Sequence, residues 1–145
     1  MKIYIHILAV ICFISFVLGG CSESTTVDIT EKFLIDIGFL AEVDSIEKKR
    51  KASWLIAEIT TEEKEEIVNL IDRAVSETRS TVKNQIKELY TDDELKEAFK
   101  DKSSAKHKTI KDEFTKITQV QIEELNSTLE IGLSDIRYRY GCCLQ

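Results

Sequence analysis

The chain of 145 residues contains no proline and five glycines, and only Gly38, Gly132 and Gly141 lie beyond residue 20. Glycine and proline punctuate hairpins and tight strand connections, so a chain this poor in both lacks the usual means of building an all-β protein. Long helices joined by short polar turns need far less punctuation. Three segments carry the chemistry of helix starts: Asp44-Ser45-Ile46-Glu47, Thr60-Thr61-Glu62-Glu63 and Thr91-Asp92-Asp93-Glu94. In each, a side-chain oxygen can cap a free backbone N–H while the glutamate three residues on reaches back.

The apolar periodicity agrees with those starts. Ile67, Leu70, Ile71, Ala74, Val75, Thr78, Val82, Ile86 and Leu89 recur at helical spacing and predict one helix from about Thr61 to Leu89. A short helix from Asp92 to about Lys100 follows, broken by Asp101-Lys102-Ser103-Ser104. Ile110, Phe114, Ile117, Gln121, Leu125 and Leu129 then mark a last helix starting at Ser104 or Ala105 and running toward Tyr140, with a bend expected near Asn126 or Gly132. Upstream, a first helix is expected from about Thr30 to Val43. Phe33, Leu34, Ile37, Leu40 and Ala41 share one stripe, and Ile35 and Phe39 form a second, leaving Asp36 as an isolated acid. A second helix is expected from Asp44 to about Glu58, carrying the basic run Lys48-Lys49-Arg50-Lys51. The expected fold is therefore all-α: a single small domain of four or five helices over residues 29–141 with a long C-terminal helix, followed by a tail at 142–145.

The first twenty residues differ in kind. Lys2 is their only charge, residues 3–18 are mostly large and apolar, and Val17-Leu18-Gly19-Gly20-Cys21 closes the run. This is the plan of an export signal. Sixteen helical residues span roughly 24 Å, less than the roughly 30 Å hydrocarbon core that a permanent anchor crosses. Leu18, Gly19, Gly20 and Cys21 resemble the lipobox of bacterial lipoproteins. The resemblance implies cleavage after Gly20, a diacylglycerol on the Cys21 sulfur, often a third chain on the new amine, and a signal peptide at 1–20. It also implies a membrane-anchored place in the cell envelope, facing the periplasm or the exterior. Ser22, in place of an aspartate, favours the outer membrane in a diderm host. Two acyl chains hold stably where one binds reversibly. Residues 21–28 then form the lipidated cysteine and a polar tether, whose Cys21–Val27 portion reaches roughly 20 Å when extended.

A second resemblance rests on Tyr90, Thr91, Glu94, Leu95, Phe99, Ser103 and Lys106. A helix ending in an aromatic, then Thr-x-x-Glu-Leu, a short helix, and Ser and Lys before another long helix is similar to the secreted helical family called domain of unknown function 2059. It covers about residues 30–125. That family commonly has a Ser-Pro-Gly-like turn where this chain has Ser103-Ser104-Ala105. The resemblance implies an envelope helical domain and no assigned reaction.

Composition narrows the functions open to such a domain. The chain's formal charge of −6 becomes −7 once Lys2 is removed with the leader. An acidic body argues against nucleic acid, whose phosphates need a basic face. His107 is the single histidine beyond the leader, which excludes a multi-imidazole zinc site or a histidine pair. No Cys-x-x-Cys, calcium loop, phosphate loop or nucleophile elbow is present. The carboxylate pairs Glu62-Glu63, Glu65-Glu66, Asp92-Asp93 and Glu123-Glu124 fall on helix starts or wet faces. No catalytic residue, metal ligand or cofactor is expected. Cys142 and Cys143 leave two options open, free thiols or an intermolecular disulfide that links two copies.

The expected role is that of a lipid-anchored, non-enzymatic interaction module for another envelope protein. Ile35, Phe39, Lys48, Lys49 and Lys51 are its candidate surface. The alternative is a binding module for an apolar small molecule or lipid, held between the first and last helices.

Overall fold

The structure is a computed structural model and describes residues 28–55 and 57–141. Those residues form five helices: α1 (Ile29–Asp36), α2 (Phe39–Leu55), α3 (Thr61–Leu89), α4 (Asp92–Lys100) and α5 (Ala105–Gly141). The all-α class and the long last helix agree with the sequence pattern. At 1.5 Å per residue, α3 is about 43 Å long and α5 about 55 Å.

The helix starts are set locally. The Thr60 side chain accepts the Glu63 N–H at 3.1 Å and opens α3. Thr91 and Glu94 form a full capping box at α4: Thr91 Oγ1 accepts the Glu94 N–H at 3.3 Å, and the Glu94 carboxylate accepts the Thr91 N–H at 2.8 Å. Ser104 Oγ accepts the His107 N–H at 3.1 Å and caps α5. Just before it, Asp101 accepts both the N–H and the hydroxyl of Ser103 and turns the chain.

The first two helices divide elsewhere than expected. The predicted Thr30–Val43 helix is broken at Ile37-Gly38, and Asp44 lies inside α2 instead of starting it. Gly38 takes φ +82°, a conformation that L side chains rarely adopt. Its N–H bonds back to the Ile35 carbonyl and its own carbonyl accepts the Glu42 N–H, so one residue closes α1 and opens α2. Asp44 bonds to Arg79 of α3 instead of capping a helix. The second helix also stops at Leu55, short of Glu58. The last helix is continuous over Ala105–Gly141, with no break at Asn126 or Gly132.

Helices α2, α3 and α5 run alongside one another. α3 is antiparallel to α2, with Arg79 beside Asp44 and Asp72 beside Lys51. It is also antiparallel to α5, with Glu66 beside Arg139 and Tyr90 beside Glu113. Gly132 sits where α5 crosses Leu70: a Cβ there would fall 2.7 Å from Leu70 Cδ2. That glycine thus permits close helix approach within an unbroken α5. Ile67, Ile71, Val75, Val82 and Ile86 of α3 and Phe114, Leu125, Leu129 and Ile136 of α5 form the long core. α1 and α4 close one end. Phe33 of α1 is fully buried, its ring 5.0 Å from Phe99, 5.1 Å from His107 and 5.4 Å from Phe114.

Candidate functional site

The residues expected to share one surface are separated by the fold. Ile35 is exposed, at 57%, but Phe39 is 1% exposed and belongs to the core. A continuous helix would have put both on one outer stripe. The break at Gly38 instead resets the register, so Phe39 turns inward with Val43. Lys48 and Lys49 are exposed. Lys51 ties α2 to α3: it reaches Glu47 at 2.9 Å and also Asp72. The Asp72 and Glu47 hydrogen bonds hold the Lys51 ammonium above the ordinary lysine range. Arg50 lies 3.6 Å from Glu130. The basic run is thus partly structural, and Lys48 and Lys49 are its outward-facing members. Cys21, Gly20, Cys142 and Cys143 lie outside the described residues, as do residues 1–19.

Two acids clamp α1. Asp28 caps it by accepting the Thr30 N–H at 3.0 Å and pairs with Lys83 and Lys87 of α3, each at 3.0 Å. Burial pushes its carboxyl up, but the lysines and the Thr30 N–H outweigh this and hold it at about 2. Asp36, at the other end, meets Lys102 at 2.5 Å, Lys111 at 3.3 Å and His107 Nε2 at 3.8 Å. The Lys102 hydrogen bond, with that of Lys111, holds the Asp36 carboxyl below its ordinary range. The acid that looks isolated in sequence is a hub for cations 66 to 75 residues away.

His107 is 3% exposed, stacked on Phe33 and edge-on to Phe99. Its Nδ1 is buried without a hydrogen-bond partner. This ring fills the α1/α4/α5 junction, a packing role that a lone histidine in the sequence does not announce.

The carboxyls whose titration departs from the ordinary value, Asp28, Asp36, Glu66, Glu94, Glu97 and Asp101, are all lowered. A general acid working near neutrality needs the opposite shift. Tyr90 is raised to about 12 by its hydrogen bond to Glu113 and by burial. Among the described residues no group of three His, Cys, Asp or Glu side chains could hold a metal ion. No described helix is long and apolar enough to cross a membrane.

Open grooves run between the helices. One of about 400 Å³ lies between the α1–α2 turn and α5, where the alternative ligand was expected. Five of its eight lining residues, Glu42, Thr115, Thr118, Gln119 and Glu123, are polar. Another, of about 350 Å³, runs between α3 and α5 and is lined by Leu89, Ile117 and Val120 with Gln85, Glu88 and Gln121. It continues along the same pair of helices past Thr81, Glu77, Glu124 and Thr128. Leu89 and Val120, expected in buried stripes, are 58% and 52% exposed here. The outward stripe was missed because it overlaps the core stripe of α5. Its mark in the sequence is the seven-residue spacing of Ile117, Ile131 and Tyr138 around Glu124.

No protein-family model matches the chain, and no curated protein or solved structure matches it either.

Proposed function

We propose that the protein is a lipid-anchored component of the cell envelope that works as a non-enzymatic interaction module, binding another envelope protein close to the membrane. The observation that carries this reading is Leu18-Gly19-Gly20-Cys21 after an uncharged apolar run. Acylation of Cys21 would leave seven polar-rich residues, 21–27, before Asp28, which is bonded to α1 and α3. The helical body thus stands within roughly 20 Å of the bilayer surface. An outer-membrane address in a diderm host follows from Ser22 on the same reasoning. The resemblance to the domain of unknown function 2059 family adds an envelope setting and no reaction.

Contact fits the body better than ligand capture in the α1–α5 groove, because that groove is open and mostly polar, and apolar ligands favour enclosed apolar walls. Of the surface first expected, Ile35, Lys48 and Lys49 remain available to a partner. Mass spectrometry of the amino terminus tests the anchor: a diacylated Cys21 is expected, and an unmodified Cys21 or a retained leader overturns it. Crosslinking in cells of the source organism tests the contact role, and absence of any crosslinked protein overturns it.

A further inference from the structure

Four of the five large apolar side chains that the described residues leave exposed, Leu89, Val120, Ile131 and Tyr138, come from α3 and α5. Ile131 and Tyr138 are 68% and 73% exposed. They repeat at seven and fourteen residues from Glu124, which lines the α3/α5 groove, so they extend the same side of α5 beyond it. From Ile117 to Tyr138 this strip is about 32 Å long. Its borders are acidic. Glu88 and Glu77 on α3 and Glu124 on α5 line the groove; none of the three forms an ion pair, and Glu124 accepts a hydrogen bond from Gln121 Nε2 at 2.7 Å. The cation within the strip, Arg139, is engaged by Glu66 and Asp135. By helical position Arg73 and Lys116 stand at the outer edges.

We infer that this α3/α5 face docks an amphipathic helix of a second protein, apolar along one side and flanked by lysine or arginine. The inference rests on the contact role proposed above and names its site and partner class. Two antiparallel helices present a trough into which a third helix can lay its i, i+3, i+4 and i+7 side chains. The spaced apolar residues supply the anchors, and the glutamates along the borders supply the flanking selectivity. Charge decides among the occupants. A second copy would bring the same acidic borders against these, and an anionic lipid surface would be repelled in the same way. A helix with basic flanks gains from both borders.

The test uses the full chain in cells of its source organism. A photo-reactive residue is placed singly at positions 120 and 131, and at 35 and 49 for comparison, and the crosslinked peptides are sequenced by mass spectrometry. The expected product at 120 and 131 is a segment of a different protein with helical apolar spacing and net positive charge. Combining Glu77→Lys, Glu88→Lys and Glu124→Lys should cut that product at least tenfold while the melting midpoint stays put. If the reversal unfolds the chain, Glu88→Gln with Glu124→Gln should still cut it about threefold. An acidic segment, a second copy of this chain, lipid, or no product at 120 and 131 overturns the docking. Protein products at 35 or 49 alone overturn the docking and leave the contact role standing. No protein product at any of the four positions overturns both.

Discussion

Truncating Phe33 tests whether α1 is part of the cooperative fold or an ornament on it. The ring is fully buried and touches Phe99, His107 and Phe114 at centroid distances of 5.0–5.4 Å, so it is the meeting point of α1, α4 and α5. Phe33→Ala should cost about 3–5 kcal/mol, the range for deleting a buried phenylalanine. The upper half applies here, because three ring contacts vanish and the His107 Nδ1, already without a partner, gains a void beside its ring. A domain of this size has about 5–15 kcal/mol in total, so the variant keeps a fraction of its stability. At about 4 °C per kcal/mol for a chain of this length the midpoint should fall by about 16–20 °C. Phe33→Leu retains most of the volume and should lose less than half as much. The assay is thermal unfolding of the chain from residue 22 onward, followed by helical circular dichroism. A shift below about 5 °C for Phe33→Ala would refute the reasoning. Early hydrogen exchange confined to α1 would show instead that α1 detaches on its own while α2, α3 and α5 persist.

The other expected outcomes concern the anchor, the α1 clamp and the α3–α5 crossing. Cys21→Ala should abolish acylation and release the protein from the membrane fraction, read by fractionation and amino-terminal mass spectrometry; continued membrane retention of the variant argues against the lipobox. Asp28 is held low at about 2 when folded, against 3.8 for the ordinary carboxyl, so its contribution is fully present above pH 3.8 and lost as pH falls toward 2. Asp28→Asn should therefore lose about 1–2 kcal/mol at pH 7 and converge with the unaltered chain near pH 2, seen in denaturant midpoints; an equal gap at both pH values rules out the ion pairs as its cause. Gly132→Ala should gain less than the about 1 kcal/mol that helix propensity alone supplies, because the new methyl meets Leu70 Cδ2 at 2.7 Å and that side-chain tip must move. In a Leu70→Ala background the same change should stabilise more, and additive effects in the cycle would show that the two residues do not meet. Ile86→Ala, at a fully buried position, should cost about 2–5 kcal/mol, more than Leu70→Ala at its half-buried one, in the same unfolding assay.

The helices that were legible are those whose ends are decided by neighbours in the chain. Thr60, Thr91 and Ser104 cap with their own side chains, and the α3 stripe is regular, so α3, α4 and the start of α5 follow from local chemistry. The α1–α2 division was not legible, because apolar residues continue at helical spacing through Gly38. Whether that glycine takes a positive φ depends on what α1 and α2 each pack against. The same decision separated Ile35 from Phe39. Capping chemistry at Asp44 was misleading for a related reason: Arg79, 35 residues away, recruits its carboxylate. Exposure of Leu89 and Val120 was hidden because helical spacing identifies a stripe but not whether a neighbouring helix covers it. α2 packs on the side of α3 that carries Arg79 and Asp72, and the α3/α5 groove is left open.

The placement of α1 bears on how an anchored domain would carry load. Eight residues are too few to hold a helix in water by themselves, so α1 persists through what it touches. Phe33 and Leu34 sink into the core, Asp28 grips Lys83 and Lys87 of α3, and Asp36 grips Lys102 beside α4 and Lys111 on α5. Any pull from an acylated Cys21 would enter at Asp28, the residue bonded to both the α1 backbone and α3. It would then be shared by the two longest helices instead of unwinding α1 from its end. Exposed ion pairs alone contribute little, but here they flank Phe33, a fully buried aromatic that ties the middle of α1 to the core. On the proposed anchoring, residues 21–27 therefore set the height of the domain above the membrane, and α1 keeps that height from drifting.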